Sequence, residues 1–296
     1  MPVRLPEGVL DHYDRFTLYN SPYTAHDTGC AIDLYPAMGA PSPVSGTVLD
    51  TRTVRAPPKP YAAPDDHLVL VEVDTPDSAA GLVARLMHVN PSVETGDRIE
   101  MGDDLGELVR AGFFAPWVDN HLHVGFRSPD VNPYRASGSL PLSVEVDPVP
   151  LPWDGTGTVV ETGETYAILD TPTHPDPGET WVGIGARLDQ TGAGTDATET
   201  GKTPVVLDGG LPHYDFGGQY GETGNKASAS VTLLGARVGE ARGRNVTWDD
   251  PVVLSNGQPI TGISLFLARD AAFGAKLICP AHTFEIGDEV TVRIES

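Results

Sequence analysis

The chain has only two cysteines in 296 residues, Cys30 and Cys279, and they lie far apart. That is no disulfide framework, so stability has to come from apolar cores. Lysine is nearly as scarce, with four against fifteen arginines, and the formal net charge is −22. A surface this acidic repels a phosphate backbone, which excludes nucleic acid as a partner. No apolar run is long enough to span a bilayer. The opening residues, Met-Pro-Val-Arg-Leu-Pro-Glu-Gly, hold no apolar segment of signal-peptide length. The expectation is a chain that is not exported by the ordinary route and is cytoplasmic or associated with a virion or envelope. Runs with helical apolar periodicity are also scarce, which excludes a helix bundle.

What is present is punctuation and alternation. Glycine (33) and proline (27) are abundant. Between them recur short alternating stretches: Thr47–Leu49, His67–Val73, Thr158–Val160, Ala229–Leu234, Ile263–Leu267 and Glu289–Ile294. This pattern predicts a mostly β protein. The length allows two ordinary domains. Pro148–Gly157, with Trp153 among prolines and glycines, reads as their junction and divides residues 1–150 from 151–296. The acid-rich, lysine-poor composition resembles that of proteins from salt-loving organisms, where concentrated cations screen self-repulsion, and so predicts a high-salt environment.

The chemistry concentrates in the first half. Asn120–Phe126 reads Asn-His-Leu-His-Val-Gly-Phe, and in a strand alternate side chains share a face, so His121 and His123 project together. Two such imidazoles can share a metal, or one can bind it while the other handles a proton. His26 and Asp33 stand upstream. Gly39-Ala-Pro-Ser-Pro-Val-Ser-Gly46-Thr-Val predicts a short strand, a tight turn around Ser45-Gly46 and a return strand. Leu86-Met-His88 ends an apolar run, and Pro57–Pro64 and Val109–Asn120 read as loops, the second carrying Phe113, Phe114 and Trp117. Isolated histidines such as His12 and His67 read as surface or structural residues.

Residues 22–136 resemble the lysostaphin/LytM-type zinc endopeptidases, which cut peptide cross-links in bacterial cell walls. The resemblance rests on Ile32-Asp33, on Gly39–Val48, on Leu86-Met-His88, on Val93-Glu-Thr-Gly-Asp-Arg-Ile-Glu-Met-Gly102, and on His121-Leu-His-Val followed by Asn132-Pro. It implies an antiparallel β-sheet or barrel-sandwich domain and a zinc cofactor. It makes Asp33 and His123 zinc ligands and gives His88 and His121 the catalytic roles. The family places its first histidine ligand four residues before the aspartate, where this chain has Gly29. His26 stands seven before, and a bulge or turn at Thr28-Gly29 would bring it to the metal; Cys30 is the alternative donor. Pieces of the same stretch also resemble lipoyl and biotinyl carrier barrels, but no lysine lies between Asp65 and Arg135 to carry the cofactor.

The second half resembles no family. A β-sandwich or barrel used for binding, positioning or assembly, including self-association, is the expectation for 151–296. Its His213 and Asp215 form an i, i+2 pair without a third donor, Asn245-Val-Thr is a glycosylation sequon, and 192–202 reads as a mobile polar loop. Two functions follow: a zinc endopeptidase acting on cell-wall or other cross-linking peptides, or a catalytically inactive structural protein of an envelope or viral tail that reuses the same scaffold.

Overall fold

The computed structural model describes residues 2–190, 202–221 and 228–296. The fold is almost entirely β, and the chain divides into two compact units: Met1–Leu18 with Thr24–Val146, and Tyr19–Tyr23 with Asp147–Ser296. Five residues of the N-terminal half thus group with the second unit.

The first unit is built from β1 (Val3–Pro6), β2 (Arg15–Thr17), a one-turn helix α1 (Thr24–Asp27), β3 (Ile32–Tyr35), β4 (Ser45–Arg55) and β5 (Asp65–Thr75). β6 (Val83–Met87), β7 (Val89–Pro91), β8 (Arg98–Ile99), β9 (Gly106–Leu108), β10 (Leu122–Arg127) and β11 (Leu142–Glu145) complete it. Its main sheet is antiparallel in the order β2-β3-β10-β6-β5-β4-β8. β7 pairs with β9, and β1 lies parallel to β11.

Residues paired across antiparallel strands share a face, so the registers sort the whole sheet. Ile32, Leu34, Leu122, Val124, Phe126, Ala84, Leu86, Val69 and Val71 fall on one face, and all are buried. Asp33, His123, Met87, Leu68 and Leu70 fall on the other. A one-residue slip in β10 would carry its imidazoles into the apolar face, which pins the register.

The turn expected at Ser45-Gly46 is absent. Gly46 lies inside β4, at an irregularity in the pairing with β5. A Cβ there would come within 2.0 Å of the Glu72 carbonyl oxygen, so glycine serves close strand approach instead of a reversal. The hairpin turns through the proline-rich stretch between Arg55 and Asp65.

The second unit begins with β12 (Val149–Leu151), β13 (Thr156–Thr162) and β14 (Tyr166–Leu169). β15 (Val182–Gln190), β16 (Lys202–Leu211), β17 (Phe216–Tyr220), β18 (Ser228–Leu233), β19 (Ala236–Arg242) and β20 (Asn245–Trp248) follow. The pairings β15-β16-β17-β20-β19-β18 return to β15 and close a barrel. Closure leaves no open edge. Its core includes Ile184, Leu188, Leu207, Val231, Val238, Val246 and Trp248. Gly217 admits the Trp248 ring, which would lie 2.0 Å from any Cβ at that position. Residues 192–201 of the expected polar loop lie outside the described residues.

Candidate metal and proton-transfer site

β10 and β3 build the centre of the site. Their register sets His123 directly opposite Asp33, and His123 Nδ1 lies 2.8 Å from Asp33 Oδ1. His121, two residues earlier on the same side, brings Nε2 to 3.5 Å from Asp33 Oδ2. The i, i+2 spacing therefore addresses both oxygens of one buried carboxylate.

His26 arrives from a different direction. Thr24–Asp27 coils into a single helical turn, and Gly29, at φ 63°, ends it in the left-handed region. A helix rises about 1.5 Å per residue against about 3.3 Å for a strand, so coiling shortens the path from a histidine seven positions before Asp33. His26 Nε2 comes to 3.5 Å from Asp33 Oδ1 and 3.3 Å from His123 Nδ1. Its Nδ1 lies 2.8 Å from the Leu18 carbonyl oxygen, and donating there leaves Nε2 with a bare lone pair. Cys30 does not join this group; its Sγ lies 3.2 Å from Thr28 Oγ1.

His26, Asp33 and His123 thus offer three donor atoms within 4.8 Å of one another. The mutual distances of 2.8, 3.3 and 3.5 Å are close to the separation of ~3.3–3.6 Å between donors bound tetrahedrally at 2.0–2.2 Å. Two imidazoles and a carboxylate fit zinc in both kind and size.

The protonation states agree with that donor set. Burial would raise Asp33, but His121, His26 and the hydrogen bond from His123 outweigh it and hold the carboxyl well below the usual carboxylate range. Burial pushes His121 and His123 down to about 4, against the opposing pull of Asp33. At neutral pH Asp33 is therefore a carboxylate and His121 and His123 are neutral imidazoles, the states that metal binding requires.

His88 is placed by an unusual backbone. It follows Met87, which shares the His123 face, so strict alternation would send its side chain to the apolar side. Instead His88 has φ 72°, rare outside glycine, and its ring lies 5.1 Å from that of His121 and 5.7 Å from that of His123. Its backbone is held by the His67 carbonyl at 3.3 Å and by Val109, whose N–H donates to the His88 carbonyl at 2.8 Å. His88 Nδ1 lies 2.7 Å from Asp66 Oδ2, and Asp66, with no exposed surface, also accepts the His67 N–H. This is an aspartate–histidine pair with the imidazole Nε2 left for chemistry.

His121 has a comparable tether, with Nδ1 2.9 Å from the Asp119 carbonyl oxygen. Phe114 stacks on its ring at 4.4 Å and meets His88 edge-on at 4.6 Å. Sequence reasoning missed Asp66, the two carbonyl tethers and the Phe114 cover. Asp66 alone left a sequence signal, since it alternates in phase with Leu68 and Leu70. His213, by contrast, belongs to no three-donor group among the described residues. Its ring lies where a Cβ on Gly210 or Gly262 would intrude, at 2.6 and 2.8 Å.

Two family models match the chain: "Domain of unknown function (DUF8155) N-terminal domain" over residues 4–144 and "Domain of unknown function (DUF8155) C-terminal domain" over 149–295. Among solved structures it is similar to the antimicrobial peptidase lysostaphin from Staphylococcus simulans, at 15% identity and TM-score 0.28, with 88% of each chain covered. It is also similar to the NMR solution structure of lysostaphin, at 11% identity and TM-score 0.25, covering 88% of this chain and 89% of that one. A likeness so loose carries no argument about chemistry. No curated protein matches the sequence. Among the described residues, no helix is long and apolar enough to cross a membrane.

Proposed function

We propose that this chain, which belongs to the DUF8155 family in both of its halves, is a zinc-dependent hydrolase of peptide amides. The observation that carries the reading is the pairing of a zinc-sized donor triangle with a second, differently tethered pair of histidines on the same face. His26, Asp33 and His123 would hold the metal. When bound at three protein donors, zinc supplies a Lewis acid that polarises a carbonyl and acidifies water.

The remaining steps belong to the chain's own residues. His88, oriented through Nδ1 by Asp66, accepts a proton at Nε2 and returns it to the departing amine, while the carboxylate steadies the charged ring. His121 presents Nε2 on the same side and, once protonated, donates to an oxygen that gains negative charge. Phe114 keeps bulk water from both rings.

The motif resemblance of residues 22–136 points to cell-wall or other cross-linking peptides as substrate class. Residues 151–296 would act as an accessory binding or assembly unit. The test is zinc content together with cleavage of glycine-rich and D-alanyl cross-bridge peptides at molar salt. About one zinc per chain is expected. Less than about a tenth of an equivalent, not restored by added zinc, removes the metal reading.

One observation favours a second reading, an inactive assembly protein on the same scaffold. His88 and His121 are buried, at 6% and 3% exposure, and Phe114 covers both. On that reading zinc is bound, no peptide is cut, and replacing His88 or His121 changes stability alone.

A further inference from the structure

The face that carries His123 continues into two buried arginines. Arg85 lies opposite Gly125 in the β10–β6 register, and Arg127 follows two residues later on the same side. Arg127 has no exposed surface and Arg85 is 7% exposed. Arg127 Nη1 donates to the Asn132 carbonyl oxygen at 2.9 Å, and Arg85 Nε donates to that of Pro133 at 2.6 Å.

Among the described residues, neither guanidinium has a carboxylate within ion-pair distance, whereas Arg15, Arg52, Arg98, Arg237 and Arg242 each have one. Asp130, the acid nearest in sequence to Arg127, is engaged by Ser128 in the same turn. In a chain of net charge −22, an acidic partner was abundantly available. Two buried cations without one carry a large desolvation cost that an anion would offset.

The free donors also have a shape. Arg127 Nε and Nη2 are buried without a hydrogen-bond partner among the described residues. They lie on one edge of the guanidinium, where parallel N–H groups match two oxygens of one oxyanion. Both arginines donate to carbonyls of the turn around Asn132 and Pro133, most of whose residues are exposed. It is pinned by Tyr134, whose hydroxyl donates to Asp50 at 2.8 Å and whose ring lies 3.6 Å under the Arg52 guanidinium.

We propose that Arg127, with Arg85 beside it, is a binding site for an oxyanion of the carboxylate class. Two sources present this chemistry: a free small oxyanion, or a carboxylate of the peptide substrate. His123 and Arg127 are four strand residues apart, roughly 13 Å, a span that a short peptide covers. The second source rests on the hydrolase reading; the first does not.

The experiment is thermal unfolding and calorimetric titration of the full chain with sodium acetate, replacing sodium chloride at constant ionic strength. A saturable rise in Tm is expected. It should persist in His123→Ala, which removes the metal site, and weaken about tenfold in apparent affinity in Arg127→Lys, which keeps the charge but loses the fork. Should Arg127→Lys fail to fold, Arg85→Lys replaces it, and the same weakening is expected there. Competition by N-acetyl-triglycine but not by its C-terminal amide assigns the site to a substrate carboxylate; competition by neither assigns it to a free anion. Acetate acting no differently from chloride on wild type, or acting only through His123, overturns the proposal. Acetate binding in a chain that cuts no peptide would leave this site intact and count against the hydrolase.

Discussion

Both units bury histidine against β-structure, but they surround it differently. In the first, His26, His88 and His121 each give one ring nitrogen to an oxygen of the chain, at Leu18, Asp66 and Asp119, and keep the other bare. The second nitrogens of His26 and His121 converge on Asp33, and the His88 ring lies 5.1 Å from that of His121. In the second, His213 packs over the glycine backbone at Gly210 and Gly262, beside Tyr214 at 4.6 Å. Burial alone therefore makes no site. Convergent, tethered nitrogens do, because each tether fixes a tautomer before any ligand arrives.

The sharpest way to break this contrast is to remove one imidazole from each unit. His123→Ala should take zinc from about one equivalent to under about a tenth, since two donors hold the ion poorly. His213→Ala should leave zinc content unchanged. Equal zinc loss in both variants would end the distinction.

Next in size are the groups that the proposed function has acting without holding metal. His88→Ala and His121→Ala should lower amide hydrolysis by roughly 10²–10⁴-fold with zinc content intact. Asp66→Asn should also lower the rate with zinc content intact, since the asparagine no longer holds His88 in the tautomer and orientation that a base needs. A rate unmoved by Asp66→Asn would make that residue structural.

The apolar faces should respond alike. Val124→Ala in the sheet and Val231→Ala in the barrel, both fully buried, should each cost about 1–3 kcal/mol in denaturant unfolding. A far smaller cost in the sheet would mean that its apolar face is less closely packed than the barrel core.

The smallest effect is a slope. Burial pushes His213 down to about 4, below the ordinary value of about 6.5 for an unfolded chain. The folded state then binds fewer protons, so stability is full above pH ~6.5 and falls as the pH drops towards 4. His213→Gln should flatten that part of the pH–stability curve measured by thermal unfolding. An unchanged slope would show that His213 titrates normally in the fold.

Much of this was legible in the residues themselves. Alternation marked His67–Val73 and Glu289–Ile294, and the structure extends these to Asp65–Thr75 and Glu289–Glu295. The i, i+2 spacing set His121 and His123 on one face. Two glycines misled or were silent for one reason: Gly46 reads as a turn residue and serves strand contact, and Gly217 makes room for a tryptophan ring 31 positions later. Close approach depends on what lies opposite, which no local pattern records.

The sequence by itself determined the β class, the face shared by His121 and His123, and the weight of chemistry in the first half, because side-chain alternation and residue type are local properties. Tertiary structure alone decided that His123 meets Asp33, that a helical turn brings in His26, that Asp66 orients His88, and that Arg85 and Arg127 lie buried without an acid among the described residues. Each of these depends on strand register or backbone reversal, where contacts distant in sequence compete and the best-packed pairing wins.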